Sequence, residues 1–445
     1  MKSFICSALL LVRLETALFG QPAIVTQPSN QTASLFADAK FRVSVTGNPA
    51  FSYQWRFSDA DLTDKTNATL TVANVQRTNA GNYSVVVTNL SGSITSQVAT
   101  LTITPFNSMY EFGFSWTDTQ GIAHGCPRPT QCPTCYWQGR ISNGPMWPEF
   151  LSTNLGLPYV VANNYAVCSS SSPDIRDQIY NFPAPPKPQL SLYCMWAAGP
   201  PDCCSLSDAV RAVTNEVVGA QFFQASLLNN SNSISRLYAK GARTILVEQE
   251  FDWSKHPLEI AAWPGDPALL PKYGEYLAGF NAAVVKMLTT YSKSRPDLRI
   301  LYVDMWSEFN KVLSNPALYG FTVVNIDALH DPALTDKSLN GPGADYLTWD
   351  DATHPTSKFH KLIADWHLKV LTNSVLEELD ATIANGSPTI RMNRLQIGRD
   401  YTLQTSSDLN QWQDIQTFTA VAGTNQWTAS SIGATSAFYR LKWQL

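Results

Sequence analysis

The sequence predicts a multidomain protein in which a central three-layer α/β domain with a parallel sheet lies between a β-sandwich and a small β-module. The chain has 445 residues, enough for roughly three domains of ordinary size. Both ends of the chain alternate polar and apolar residues, as half-buried strands do. The centre instead carries continuous apolar runs separated by helical patterns, which is typical of α/β domains.

Composition limits the partners of the protein. The chain is 44% hydrophobic and 15% charged, has a formal net charge of -4, and contains no run of Lys and Arg. It therefore lacks the long-range attraction that draws a basic protein to nucleic acid or to an anionic membrane. No segment approaches the ~18 consecutive apolar residues of a spanning helix, so we expect no transmembrane segment.

Residues 1–20 are typical of a secretory signal peptide. Lys2 is followed by a short apolar run from Phe4 to Val12, and small residues follow at Ala17 and Gly20. A buried N-terminal strand or helix is the alternative. We expect export, and hence a secreted or extracytoplasmic protein.

The cysteines beyond that segment all lie in one region. They are Cys126, Cys132, Cys135, Cys168, Cys194, Cys203 and Cys204. An exported chain allows disulfides, and the odd number leaves at least one thiol unpaired in a monomer. The spacing Cys132-Pro-Thr-Cys135 also fits a zinc knuckle, but a second pair with such spacing is absent. We therefore expect disulfides, and neither a metal nor an organic cofactor.

Residues 22–104 contain short alternating segments separated by Gly, Asn and Pro turns: FRVSV, SYQWRF, TLTVANV and NYSVVVTN. They resemble an immunoglobulin-like sandwich. Trp55 occupies the place of the core tryptophan of that fold, and Tyr83 the place of its tyrosine corner. Val45 and Val85 stand where the inter-sheet cysteines are often found, so we expect apolar packing alone to hold the two sheets together.

Residues 106–380 are predicted to form the α/β domain. ARTILV and LRILYVDM are typical of buried parallel strands, and the segments starting at Tyr276 and His360 repeat apolar residues at helical spacing. Residues 388–445 return to alternation and predict the small β-module. In a parallel α/β sheet, functional residues gather at the carboxyl ends of the strands.

Ser115 follows a predicted strand in YEFGFSWTDTQ and is a candidate nucleophile. A serine hydroxyl needs a histidine to take its proton and an acid to orient that histidine. His354 has Asp351 three residues before it, and Pro355 suits the first turn of a following helix. The spacing favours Asp351 over its neighbour Asp350 as the orienting acid. Taken alone, each of these residues also fits an ordinary turn or helix cap.

Together these features resemble the GDSL, or SGNH, hydrolase family. The matching stretches are FGFSWTDT, GRISNGPMW with PEFLSTNLGLP, NYAV, LYCMWAAGPPD, LRILYVDMWSEFNKVLSNPALYGF and DATHPT. The resemblance covers about residues 110–372 and implies a flavodoxin-like fold. It further implies that Ser115 is the nucleophile, His354 the general base and Asp351 the acid that orients it.

The resemblance also implies an oxyanion hole built from the backbone N–H of Ser115 and that of Cys168 or Ser169. The sequence departs from the family pattern around these residues. Phe114 stands where the family has an aspartate, and Cys168-Ser169 stand where it has two glycines. Backbone N–H groups donate whatever the side chain, so the hole survives if the backbone conformation survives.

Pro201 is the more serious departure, because it falls where the family has an asparagine. Proline offers neither an amide side chain nor a backbone N–H. Loss of one oxyanion donor costs about 100- to 1,000-fold in rate. Asn163 and Asn164 are candidate replacements, and a one-residue slip of the alignment at Ala197-Ala198 is the alternative.

These residues support three functional hypotheses. The first is an exported carboxylic ester hydrolase, an esterase or lipase, that cleaves a small-molecule ester, a lipid ester or an acylated sugar through an acyl-enzyme. The second is a catalytically impaired binding protein whose β-modules contact glycans or a cell surface. The third is an acyltransferase that uses the same acyl-enzyme. Labelling of Ser115 by a fluorophosphonate separates the first hypothesis from the second.

Overall fold

The computed structural model describes residues 20–34, 37–75, 79–126, 134–200, 205–295, 297–350, 354–373, 378–384, 387–393, 395, 400–406, 411–420, 424–428 and 438–443. The chain divides into two compact units, residues 1–103 and 104–445. Within the described residues, no helix combines the length and the apolar character needed to cross a bilayer.

The first unit is built from strands. They are β1 (Ala23–Thr26), β2 (Gln31–Ser34), β3 (Ala39–Arg42), β4 (Ser44–Thr46), β5 (Ser52–Phe57), β6 (Ala60–Asp61), β7 (Thr69–Val72), β8 (Gly81–Asn89), β9 (Gly92–Thr95) and β10 (Ala99–Thr104). One sheet has the order β2-β10-β8-β5-β6, with β9 also paired to β8. Strands β3 and β7 form an antiparallel pair, as do β1 and β4.

The core of this unit confirms the predicted immunoglobulin-like features. Trp55 is fully buried and lies opposite Val85, which is also fully buried. The hydroxyl of Tyr83 donates to the carbonyl oxygen of Asn79 at 2.8 Å, which is the backbone contact of a tyrosine corner. Val45 is only partly buried in the same cluster, so of the two valines only Val85 is a fully buried core residue.

The second unit contains a four-stranded parallel sheet of order β11-β12-β13-β14. The strands are β11 (Ser108–Phe112), β12 (Ser191–Trp196), β13 (Thr244–Glu248) and β14 (Arg299–Val303). Every residue of β12 and β13 is buried, as expected for a parallel sheet covered on both faces. In register, Phe112 pairs with Met195, Trp196 with Glu248, and Glu248 with Val303, so all four strands end at one edge.

Helices connect these strands. They are α1 (Trp147–Asn154), α2 (Ser172–Asn181), α3 (Leu206–Thr214), α4 (Glu216–Ala239), α5 (Pro257–Ala262), α6 (Leu270–Lys293), α7 (Met305–Ser314) and α8 (Ser357–Asn373). The side chain of Asp304 caps α7 by accepting from the backbone of Ser307 at 2.9 Å. Helix α1 packs against α8, and α4 packs against α2, α3 and α6, so these helices form two packed groups.

The remaining strands lie after the sheet. They are β15 (Thr348–Asp350), β16 (His354–Pro355), β17 (Glu378–Ala384), β18 (Ser387–Asn393), β19 (Asp400–Ser406), β20 (Gln413–Thr419), β21 (Asn425–Thr428) and β22 (Phe438–Trp443). Strands β17, β18 and β21 form one sheet, and β20, β19 and β22 form another. The C-terminal region is therefore β-structured. Because β17 pairs with β18, its strands begin before residue 388.

Candidate active site

Ser115 lies at the edge where the parallel strands end. Strand β11 stops at Phe112, and a tight turn follows in which the carbonyl oxygen of Phe114 accepts from the backbone N–H groups of Thr117 and Asp118 at 2.8 and 3.0 Å. Gly113 allows this turn to close, because a Cβ there would lie 2.8 Å from Thr117 Oγ1. The turn therefore holds the largely buried Ser115 in place just beyond the strand.

Phe114, which stands where the family has an aspartate, belongs to the hydrophobic core. Its ring meets the edge of Trp196 with centroids 4.8 Å apart. The backbone oxygen of Phe114 accepts the hydrogen bonds of the turn, and its side chain takes no part in them. The turn thus forms without the aspartate.

His354 is oriented by a buried carboxylate, that of Asp350. His354 Nδ1 lies 2.7 Å from Asp350 Oδ1, and the hydroxyl of Tyr136 donates to Asp350 Oδ2 at 2.5 Å. Because a carboxylate only accepts, His354 carries its proton on Nδ1 and can use Nε2 for proton transfer. Asp351, which the spacing favoured as the orienting acid, lies outside the described residues.

The local structure around His354 differs from the sequence expectation. His354 and Pro355 form the short strand β16, in which His354 pairs with Asp350 of β15 across an antiparallel ladder. Helix α8 begins at Ser357, so Pro355 precedes the helix and does not occupy its first turn. The expectation failed because a Pro next to a helix start fits a short strand as well as a first helical turn.

Several contacts hold the histidine segment to the rest of the second unit. The hydroxyl of Ser142 donates to the carbonyl oxygen of Pro355 at 3.0 Å, and the backbone N–H of Ser357 donates to Asn143 Oδ1 at 2.8 Å. Trp116, the residue after Ser115, meets Phe359 of α8 edge to face with centroids 5.9 Å apart. Ring packing therefore links the serine turn to the helix that follows His354.

Ser115 Oγ makes no hydrogen bond within the described residues. The contact between Ser115 and His354 that a triad requires is therefore not formed in this structure. Such contacts are often long before substrate binds.

The segment predicted to hold the oxyanion donors runs beside β11. The backbone N–H of Tyr165 donates to the carbonyl oxygen of Glu111 at 2.8 Å, and that of Val167 to Gly113 at 3.2 Å. Cys168 is joined to Cys126 by a disulfide, which confirms the expectation of cross-links in this region. Cys135 is also disulfide-bonded.

Cys168 and Ser169 differ in the state of their N–H groups. The Cys168 N–H donates to Asp118 Oδ2 at 3.0 Å. Ser169 has φ of +62°, the left-handed conformation that favours glycine, so the chain keeps a glycine-like backbone here. Within the described residues, neither the Ser169 N–H nor the Ser115 N–H has an acceptor.

Asn164 and Asn163 are the candidate replacements for the missing asparagine. The Asn164 side-chain amide donates to the carbonyl oxygen of Thr117 at 2.7 Å and to the hydroxyl of Tyr159 at 3.1 Å. Asn164 is buried and tied to the end of the serine turn, so it does not serve as a free donor. Asn163 is half-buried in a short 3-10 turn. Pro201 lies outside the described residues.

Two features of the site were missed in the sequence. The carboxylate of Asp118 accepts hydrogen bonds from His124 Nδ1 and from the backbone N–H groups of Gln120 and Cys168. The sequence shows only that Asp118 follows Ser115 by three residues. Glu250 accepts from the Gly199 N–H at 2.7 Å and from Trp253 Nε1 at 2.9 Å, beyond the end of β13. Both carboxylates bind groups distant in sequence, and no spacing pattern reports such contacts.

The second unit thus combines a serine at the carboxyl edge of a parallel sheet with a buried His–Asp pair, the kinds of residue that α/β hydrolases use. The sequence profile of the family GDSL-like Lipase/Acylhydrolase matches residues 109–367, more than half of the chain, and the chain belongs to this family. The family supports a hydrolase function. The profile of the Immunoglobulin domain matches residues 21–89.

Individual relatives match shorter parts of the chain. Endoglucanase C of Cellulomonas fimi is 30% identical over 32% of this chain and 14% of its own length. GDSL esterase/lipase 7 of Arabidopsis thaliana is 28% identical over 30% of this chain and 39% of its own length. GDSL esterase/lipase EXL3 of Arabidopsis thaliana is 22% identical over 48% of this chain and 53% of its own length. The chain thus spans at most about half the length of these relatives.

Among solved structures, titin domain M4 in its trigonal form is 23% identical to this chain. The match covers 20% of this chain and 99% of the titin domain. Its TM-score is 0.19, and it carries no inference about function.

Proposed function

We propose that the protein is an exported serine ester hydrolase in which Ser115 attacks the ester carbonyl and His354 acts as general base. The observation that carries this proposal is the buried hydrogen bond from His354 Nδ1 to Asp350 at 2.7 Å, in a chain of the GDSL-like family. We assign the orienting role to Asp350, because its carboxylate holds the imidazole and is itself held by Tyr136.

The reaction follows from the chemistry of these groups. His354 Nε2 takes the proton of Ser115 Oγ as the Oγ–carbon bond forms, and the carbonyl oxygen becomes an oxyanion. His354 then gives the proton to the leaving alcohol, which leaves an acyl-enzyme on Ser115. A water molecule, deprotonated by His354, attacks the acyl carbon, and the acid is released while Ser115 regains its proton.

We propose that the oxyanion is bound by the N–H groups of Ser115 and Ser169. Both lack an acceptor within the described residues, whereas the N–H of Cys168 already donates to Asp118. The left-handed backbone of Ser169 supports this choice, because it is the conformation that the family glycine adopts freely. Each such donor contributes about 100- to 1,000-fold in rate.

Small-molecule esters, lipid esters and acylated sugars are the proposed substrates, and we propose a secreted or extracytoplasmic location. The disulfide between Cys126 and Cys168 supports that location, because such bonds persist in oxidising compartments. Contact with glycans or a cell surface through the flanking β-structured regions stays a prediction.

A fluorophosphonate probe and short p-nitrophenyl esters test the proposal. We expect the probe to label Ser115 in the wild type, and labelling to disappear in S115A and H354A. The matched pair D350N and D351N identifies the acid. D350N should lower kcat by about 10,000-fold, as loss of the orienting carboxylate does in other triads, and D351N should not. A folded wild-type protein that neither reacts with the probe nor cleaves esters would instead support a binding protein.

A further inference from the structure

Asp118 lies three residues after Ser115, and its carboxylate is enclosed by hydrogen-bond donors. His124 Nδ1 lies 2.9 Å from both carboxylate oxygens. The backbone N–H of Gln120 donates to Oδ1 at 2.8 Å, and that of Cys168 donates to Oδ2 at 3.0 Å. The carboxylate is 1% exposed, so these donors replace the water that it loses on folding.

These contacts join the serine turn to the segment that carries Ser169. The N–H of Asp118 closes the serine turn, and its side chain binds the backbone of Cys168. A disulfide joins Cys168 to Cys126, which lies two residues after His124 in the chain. His124 in turn contacts the carboxylate of Asp118. One closed ring of hydrogen bonds and a covalent bond therefore connects the nucleophile and the oxyanion segment.

The conformation of Ser169 requires such support. A non-glycine residue in the left-handed region persists only where its surroundings hold it there. On one side, Cys168 is fixed by Asp118 and by the disulfide. On the other side, the hydroxyl of Ser170 accepts from Gln178 Nε2 at 3.0 Å, and the same amide donates to the carbonyl oxygen of Gly113 at 3.0 Å.

We propose that Asp118 is a positioning residue for catalysis: through the backbone of Cys168 it fixes the Ser169 N–H relative to Ser115, and His124 keeps the carboxylate in place. This inference rests on the proposed function. Asp118 does not touch substrate in this scheme. It acts only on an interaction that strengthens in the transition state, so its loss should lower kcat and leave KM nearly unchanged.

Kinetics of D118A and D118N on a short p-nitrophenyl ester test the inference. We expect D118A to lose about 100- to 1,000-fold in kcat, the effect of one oxyanion donor, with KM within about threefold of wild type. D118N keeps one acceptor oxygen for the Cys168 N–H, so its kcat should be at least about tenfold higher than that of D118A. D297N is the matched control, since Asp297 pairs with Arg243 just before the amino end of β14.

Hydrogen–deuterium exchange gives a readout that does not depend on activity. Residues 164–171 should exchange faster in D118A than in wild type or D297N, because the ordered turn loses one of its ties. If D118A does not fold, D118N decides through the same two measurements. In that case a loss of about tenfold or more in kcat at unchanged KM, with faster exchange, supports the inference.

The outcomes separate this inference from the proposed function. An inactive wild type refutes the ester hydrolase, while exchange still tests the link between Asp118 and residues 164–171. An active wild type with unchanged kcat in D118A, or with a loss expressed mainly in KM, overturns the positioning role alone. Unchanged exchange in D118A overturns it as well.

Discussion

Substitution of Glu111 by Gln should change how the stability of the second unit depends on pH. Glu111 lies in β11, is 1% exposed, and has a buried Oε2 without a hydrogen-bond partner within the described residues. Burial, and then the charge of Glu248, raise the pKa of Glu111 well above its ordinary value of 4.5. Above about pH 4.5, Glu111 therefore keeps its proton in the native protein but loses it in the unfolded chain.

Proton linkage determines whether stability rises or falls with pH. Between the ordinary pKa of 4.5 and the raised folded pKa, the native state binds up to one proton more than the unfolded state, so stability falls as pH rises. The slope is at most about 1.4 kcal/mol per pH unit, or about 2.7 kcal/mol from pH 5 to 7. Gln resembles the protonated acid and does not titrate, so E111Q should gain stability over wild type as pH rises.

Urea unfolding at pH 5, 6 and 7, followed by tryptophan fluorescence, measures this difference. E275Q is the control, because it makes the same Glu-to-Gln change at an exposed position on α6. A gap between E111Q and wild type that is constant with pH, or that narrows toward pH 7, would refute the reasoning about Glu111.

Two further predictions concern the oxyanion segment and the buried hydrogen-bonded pair His367–Glu248. S169G should keep wild-type kcat, since glycine adopts φ of +62° freely. S169P removes the N–H and also cannot adopt this positive φ, so it should lose about 100-fold or more in kcat, measured on a p-nitrophenyl ester. In the wild type, His367 Nε2 lies 2.8 Å from the buried carboxylate of Glu248. H367A removes this partner and should lower the free energy of unfolding in urea by about 3–5 kcal/mol. H330A, which removes a half-exposed ring paired with Asp327, should cost about 1 kcal/mol or less. Equal losses of unfolding free energy in H367A and H330A would contradict the importance of burial. A loss of kcat in S169G would contradict a backbone role for Ser169.

The features that could be predicted from the sequence are those encoded by local patterns. Trp55 and Tyr83 lie at fixed places in alternating strands, and each makes the contact expected of it. The parallel strands were visible as apolar runs because both of their faces are buried. Ser115 was found at a strand end because a glycine-containing turn follows β11.

The acid that orients His354 could not be chosen from the sequence. Asp350 and Asp351 are adjacent, and the choice depends on whether the chain before α8 forms a helical turn or a strand pair. The structure forms the pair β15–β16, in which Asp350 stands opposite His354. The role of Asp118 was equally hidden, because its contact with Cys168 spans 50 residues. The pairing of Cys126 with Cys168 is another long-range choice that spacing does not determine.

The described departures from the family pattern are compensated locally, which is what the proposed ester hydrolase requires. Phe114 packs against Trp196, and the turn keeps its backbone hydrogen bonds. Ser169 retains a left-handed backbone that a serine adopts only at a cost of about 1–3 kcal/mol. In a site free of functional constraint, relaxation of that backbone would stabilise the fold. Its retention, next to a disulfide and a buried carboxylate that hold it, is best explained if the direction of the Ser169 N–H matters to the reaction.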